Sequence, residues 1–285
     1  MTTPPATPPA TRRVPVGDLS FDVVEAGPEH GRLVLLLHGF PQTAHSWRRV
    51  WPALVAAGHR VVAPDQRGYS PGARPDGVEA YRGPRLVEDV VGLLDALGAD
   101  RADVVGHDWG AAVAWQLAGR HPSRVRTLTT VSVPHPLAFV HALSTDEDQR
   151  RRSLYMRDFG RPGYEHELLR DDAAGLRGLF GGVPEVDVEH VLARLGTPEV
   201  LRRCLDWYAA QSKEDATGLG PVSAPTLHVW SDADVALGRT AAEATGRFVE
   251  GPYRFEVLEG VSHWVPEEAA EQLAALVLAH LAEHP

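Results

Sequence analysis

Gly106-His107-Asp108-Trp109-Gly110 is the stretch on which the reading of this chain turns. It follows Asp103-Val-Val-Gly106, a short apolar strand pattern, and precedes Ala111-Ala-Val-Ala114, a run of small helix formers. A glycine on each side of a reactive side chain describes a strand-to-helix bend too tight for a Cβ at either flank. Such a bend lifts its central side chain above the strand ends and sets it at a helix N-terminus, where the helix dipole favours a carboxylate. Asp108 is therefore read as a nucleophile, and the plainer alternative is an aspartate that only caps the helix.

Outward from that bend, strand and helix patterns alternate. Arg32-Leu-Val-Leu-Leu-Leu37 is a continuous apolar run ending at His38-Gly39, and Arg60-Val-Val-Ala-Pro-Asp65 repeats the pattern. Phe21 to Glu25 alternates as an edge or hairpin strand does, and a further strand is expected at Val125 to Val133. Leu86, Val87, Val90, Leu93, Leu94 and Leu97 have the spacing of an amphipathic helix. Together these predict an α/β fold, a mostly parallel central sheet flanked by helices. The pattern breaks at Pro134-His-Pro136, and from there to about Val222 the chain is polar, rich in arginine and acid, and helical. Strands resume at Thr226-Leu-His-Val-Trp230 and Arg254-Phe-Glu-Val-Leu258, followed by a closing helix from Pro266. The expected organisation is a disordered proline-rich tail over 1–11, an α/β core over 12–133 and 223–285, and a helical insert over 134–222.

Composition narrows the function. A chain of 285 residues, 44% hydrophobic, can bury a full core as one domain with an insertion. A net charge of −10 offers no basic field to gather phosphates, so nucleic acid is discounted as a partner. Cys204 is the only cysteine, which excludes an intramolecular disulfide framework and suits a reducing cytoplasm. The N-terminus lacks the basic and apolar regions of a signal peptide, and no apolar run nears the roughly 20 residues that span a bilayer, so no membrane association is expected. There is no HExxH, paired-cysteine, P-loop or GxGxxG pattern, so no metal, nucleotide or redox cofactor is implied.

Three further segments complete the chemistry. His38-Gly39-Phe40-Pro41 follows the longest apolar strand. A loop so placed supplies one backbone N–H to an oxyanion hole and the residue after the nucleophile supplies the other, which makes Phe40 and Trp109 the donors. As a Gly-Pro turn the tetrapeptide equally well just ends a strand. Gly260-Val-Ser-His263-Trp264 follows the last strand, where a catalytic base belongs, and that position singles out His263 among 14 histidines. Between nucleophile and base, Val229-Trp-Ser-Asp232-Ala-Asp234 ends a strand with two carboxylates, either of which can orient an imidazole.

From about Arg12 to the C-terminus the chain resembles the soluble epoxide hydrolase branch of the α/β-hydrolase superfamily. The resemblance rests on His38-Gly-Phe-Pro41, Pro64-Asp-Gln-Arg-Gly-Tyr69, Gly106-His-Asp-Trp-Gly110 and Ser262-His-Trp264. It implies an α/β-hydrolase fold with a helical cap, and an epoxide and water as the molecules handled; self-association as a homodimer is left open. It favours Asp234 as the acid behind His263, with Ser231 standing where the family has Gly, a departure that keeps Asp232 in play. Two cap tyrosines hydrogen-bond the epoxide oxygen in such enzymes. Tyr155-Met-Arg-Asp-Phe159-Gly-Arg-Pro162-Gly163 matches the first pattern and Trp207-Tyr208 the second, which assigns Tyr155 and Tyr208. The turn Pro64 to Ser70 and His107 are read as structural supports.

The alternative is a haloalkane or haloacid dehalogenase using the same Asp-His-Asp set. Resemblance to those enzymes would place a halide-binding Asn where Phe40 stands, or an Arg where Trp109 stands. A serine esterase lacks support at the nucleophile position, and non-catalytic relatives tend to lose a triad member that this chain keeps.

Overall fold

Leu33–Leu37 has no polar side chain to show to water on either face, and in the computed structural model, which describes residues 9–285, it is buried along its whole length. It forms β3 of an eight-stranded sheet. The others are β1 (Ala10–Val16), β2 (Leu19–Ala26), β4 (Arg60–Pro64), β5 (Ala102–His107), β6 (Val125–Val131), β7 (Thr226–Ser231) and β8 (Tyr253–Leu258). Their order is β1-β2-β4-β3-β5-β6-β7-β8. β2 runs antiparallel to β1 and to β4, and every other neighbour is parallel. The sequence places a disordered tail up to Thr11, but Ala10 and Thr11 already pair with β2, opposite Glu25 and Val24. The earlier part of that tail, residues 1–8, lies outside the described residues.

Helices α1 (Trp51–Ala56), α2 (Gly83–Ala96) and α3 (Trp109–Arg120) belong to the first half. Between β6 and β7 come α4 (Pro136–Thr145), α5 (Glu147–Arg152), α6 (Tyr155–Phe159), α7 (Tyr164–Leu168), α8 (Arg170–Gly178), α9 (Glu185–Leu195), α10 (Pro198–Ala209) and α11 (Lys213–Thr217). The second half adds α12 (Arg239–Ala244), α13 (Val265–Glu268) and α14 (Ala270–Glu283). The expected closing helix is thus two helices, divided at Ala269.

Alternation along β3 sorts the core. Leu35 and Leu37 pack with Leu86, Val90 and Leu93 of α2 and Val113 and Leu117 of α3, while Val34 and Leu36 pack with Leu54 of α1 and Leu273 and Val277 of α14. Successive side chains point to opposite faces, so a strand apolar at every position demands a helical layer on each side. The sheet is held edgewise too: buried Asp103 on β5 takes Arg32 in two hydrogen bonds of 2.6 Å and Arg126 at 2.8 Å.

The inserted helices share an apolar cluster with the sheet, Leu201, Leu205 and Trp207 joining Leu35 and Leu37, and are tied to the core by polar contacts as well. The Trp207 indole N–H on α10 donates to the Arg67 carbonyl at 2.9 Å, Arg203 pairs with Asp76, and Arg194 on α9 pairs with Asp65. Arg67 is itself fixed by two bonds to Asp89 of 2.6 and 2.5 Å. Within α8, Asp171, Asp172 and Ala173 carry positive φ values of 51°, 58° and 58°, so that helix is broken by a left-handed turn.

Candidate active site

The bend after β5 puts Asp108 at φ 50°, ψ −121°, a region L-residues rarely occupy, at a cost of about 1–3 kcal/mol. Its flanking glycines are required by contact: a Cβ at Gly106 would lie 2.3 Å from the Gly110 carbonyl oxygen, and one at Gly110 would lie 2.0 Å from that of Leu37. Asp108 stands at the N-cap of α3, yet its side chain caps no helical N–H. Instead Oδ1 accepts the Phe40 N–H at 2.8 Å, and Oδ2 lies 3.5 Å from His263 Nε2. A carboxylate freed from capping and turned toward a histidine is poised to react.

His263 Nδ1–H donates to Asp234 Oδ2 at 2.8 Å. The other Asp234 oxygen accepts the backbone N–H groups of Ala236 at 2.8 Å and Leu237 at 3.0 Å, so this carboxylate is fully engaged while 1% exposed. Asp232, the alternative partner, is exposed and accepts the Gly260 N–H at 2.7 Å. It ties the β7 loop to the β8 loop. The geometry therefore brings together Asp108, His263 and Asp234 and leaves Asp232 outside.

The charges follow from this burial. Burial alone would push the Asp108 carboxyl up, but the hydrogen bond and charge of His263, His107 and the Phe40 N–H outweigh it and hold it below the usual carboxylate range. Asp234 is likewise held low against burial, chiefly by His263. Burial would lower His263, yet two flanking carboxylates, Asp234 first, raise it above the ordinary imidazole range. The resting site is an imidazolium between two carboxylates.

Above Asp108 opens a cavity of about 570 Å³. Tyr155 at the start of α6 and Tyr208 on α10 both line it, with Trp109, Met156, Phe139 and Trp207 among their neighbours. The two tyrosine rings stand 6.2 Å apart, and Tyr208 meets Phe40 at 5.5 Å and Trp109 at 5.0 Å, edge to face. Burial, reinforced by the charge on Asp108, raises the pKa of both phenols, so each is a hydrogen-bond donor at neutral pH. Trp109 opens α3, where a first-turn amide has no acceptor within the helix.

The chain is 33% identical to epoxide hydrolase A of Mycobacterium tuberculosis, over 96% of this chain and 97% of that protein. It belongs to the epoxide hydrolase branch of the α/β-hydrolase superfamily. The α/β-hydrolase fold family model matches residues 32–162. An AB hydrolase superfamily protein of Bacillus subtilis, YfhM, is likewise 33% identical, over 92% of this chain and 94% of its own. Among solved structures, epoxide hydrolase A from Mycobacterium thermoresistibile superposes with a TM-score of 0.83 at 32% identity, covering 96% of this chain and 98% of its own. The Bacillus megaterium epoxide hydrolase in complex with an inhibitor gives 0.87 at 26% identity, over 95% and 100%.

In this epoxide hydrolase relative His107 is a support, as the sequence reading has it, and the structure adds two partners that sequence reasoning misses, Gln42 and Glu267. His107 Nε2 lies 2.9 Å from the His263 carbonyl, and its Nδ1 lies 2.8 Å from Gln42 Oε1. Gln42 Nε2 donates to both oxygens of buried Glu267, at 2.8 and 2.9 Å, and the Gly39 N–H donates to Gln42 Oε1 at 3.3 Å. The chain of contacts ties the base loop to the Phe40 loop. Burial holds His107 down to about 4 and pushes Glu267 up to about 8. The only signal for Gln42 and Glu267 is proximity to motif residues, and their partnership spans 225 positions.

Proposed function

We propose that this protein hydrolyses epoxides to vicinal diols through an ester on Asp108, with residues 134–222 as the cap over the site. The single observation that carries the reading is that Asp108 and two neutral phenols line one cavity. A carboxylate on one side and O–H donors on the other fit an sp³ carbon whose leaving group is an oxygen on the same small ring. Asp108 Oδ2 attacks the ring carbon, and Tyr155 and Tyr208 hydrogen-bond and protonate the departing oxygen, a contribution typically of about 10²–10⁴-fold.

Ester formation then changes the site's electrostatics. Asp108 loses its charge, so His263 loses one of the two carboxylates that raise it, and its pKa falls. The imidazolium's proton goes to restore the phenol that protonated the ring oxygen, and the neutral imidazole becomes a base, with Asp234 holding its tautomer. His263 draws a proton from water, the water attacks the ester carbonyl carbon, and the oxyanion forms on Oδ1 against the Phe40 N–H and the Trp109 amide. The bond from that carbon to Oδ2 breaks, Oδ2 takes the proton of the new carboxyl by way of His263, and the diol leaves with Asp108 again a carboxylate and His263 again an imidazolium.

Purified protein incubated with aryl, alkyl and polycyclic epoxides beside haloalkanes and fluoroacetate, with diol and halide followed separately, tests the reading. Diol formation with negligible halide release is expected, because Phe40 brings no side-chain donor to a departing halide. Efficient halide release with inert epoxides reverses it. With enzyme in excess in ¹⁸O-water, the first diol should be unlabelled and the peptide holding Asp108 labelled; a labelled first diol with a light peptide rules the ester out.

A further inference from the structure

The second half of α14 carries a group of side chains that the proposed chemistry does not use. His280, Glu283 and His284 occupy positions i, i+3 and i+4 of the last helical turn and its C-cap, and so share one helix face. One potential ligand atom on each lies within 4.8 Å of the other two. His280 is 1% exposed, and its Nε2–H donates to the Pro225 carbonyl at 3.2 Å. That bond fixes the tautomer. It leaves Nδ1 as a bare lone pair, buried and without a hydrogen-bond partner, a state that costs free energy unless something accepts the electrons.

A histidine whose far N–H is held by a backbone carbonyl while its near nitrogen is free has the second-shell arrangement of metal-bound imidazoles. We propose that His280, Glu283 and His284 bind a borderline divalent metal ion, zinc first among them. Two imidazoles and a carboxylate suit that class, and oxygen-loving magnesium or calcium does not. Metal bonds of about 2.0–2.2 Å in a tetrahedron set ligand atoms about 3.3 Å apart. The ligand atoms already lie within 4.8 Å of one another, and Glu283, which is exposed, and His284, which is half-buried, have room to turn closer. The negative end of the α14 dipole adds to the attraction for a cation. Burial lowers the His280 pKa and helps to keep the imidazole neutral, the form that binds metal. The opposing groups are Arg254, whose Nη1 lies 3.6 Å from Glu283, and Arg32, which bonds the Leu281 carbonyl at 3.1 Å.

Pro225 precedes β7 and Asp234 follows it, so the length of the strand, on the order of 20 Å, separates this site from the catalytic residues. The ion would clip the end of α14 to the strand layer rather than take part in turnover.

The test is equilibrium dialysis of the untagged full-length protein against zinc sulfate, with thermal unfolding alongside. One zinc per chain is expected, with a melting temperature that climbs with zinc concentration. Glu283→Gln and His284→Ala should each weaken binding at least tenfold and flatten that climb, and both are on the solvent side, so folding is kept. His280→Gln should abolish binding. His190→Ala, which removes the ring stacked on His45, should leave it unchanged. No zinc retained at millimolar concentration, binding indifferent to Glu283→Gln and His284→Ala, or binding lost in His190→Ala overturns the proposal.

Discussion

Asp108, Asp234 and His263 each follow the C-terminal end of a sheet strand, whereas Tyr155 and Tyr208 ride on helices of five and twelve residues within the insert. The first group is positioned by ladder pairing and by two packed cores, and each carboxylate is further pinned by backbone N–H groups. The second is held by ring contacts and by the Arg194, Arg203 and Trp207 anchors. Both groups rest on one apolar cluster, in which Phe159, Leu205 and Trp207 of the insert join Leu35 and Leu37 of the sheet, so what separates them is ladder pairing against ring contact. In the proposed chemistry the strand ends thus carry nucleophile, acid and base, and the inserted helices carry the phenols that hydrogen-bond the substrate's oxygen.

Substitutions can break that comparison, beginning with the strand ends. Asp108→Ala should lower kcat by roughly 10⁴-fold or more, since no later step proceeds without the ester, while the fold survives. Residual diol at a tenth of the wild-type rate would show that Asp108 is not the nucleophile. His263→Gln should still be alkylated but release product about 10³-fold more slowly, because ester formation does not need the base. Mass spectrometry of that variant after epoxide exposure should show protein plus one substrate mass.

In the insert the losses should be graded rather than absolute. Tyr155→Phe and Tyr208→Phe should each slow ring opening by about 10–100-fold, with the double change approaching the 10⁴-fold limit of acid catalysis. Equal turnover by the double variant would remove the phenols from the mechanism. The smallest effect is on stability, at Glu267. A carboxyl whose folded pKa is raised to about 8, from an unfolded value of about 4.3, stabilises below pH 4.3 and loses that contribution as pH rises through 8. Glu267→Gln should flatten the fall in melting temperature between pH 5 and 8, measured by calorimetry against wild type. A parallel fall in both would place the titration elsewhere.

The same division governs how much could be read from sequence. Continuous apolar runs such as Leu33–Leu37 declare a two-sided sheet, and Gly106 and Gly110 declare the bend because their Cβ positions are blocked. β1 escaped because an edge strand with Arg12, Arg13 and Pro15 turned outward has no apolar alternation to show. Tyr155 and Tyr208 were legible only through resemblance, since no periodicity tells a phenol in a cavity from one in a core. The pairing of Gln42 with Glu267, and the meeting of Phe139, Met156 and Trp207 around one cavity, are tertiary facts that no local pattern encodes. Asp234 was favoured over Asp232 by resemblance alone, and the hydrogen bonds supply the physical reason.

The Phe40 N–H bond to Oδ1 makes the two oxygens of Asp108 unequal, and that inequality gives the proposed enzyme an isotopic memory one turnover long. Only Oδ2 leaves with the diol, and the incoming water oxygen takes its place while Oδ1 stays under the amide. If the carboxylate keeps this grip between cycles, each diol carries the oxygen of the water consumed in the cycle before. Enzyme run in ¹⁸O-water and then returned to ordinary water should therefore give one fully labelled diol per active site and none afterwards. A carboxylate that rotates freely would have exchanged both oxygens during that run, so the first diol would again be fully labelled but half of the second and a quarter of the third would carry label too. Counting labelled diols in successive turnovers reads how firmly one amide hydrogen holds one oxygen atom.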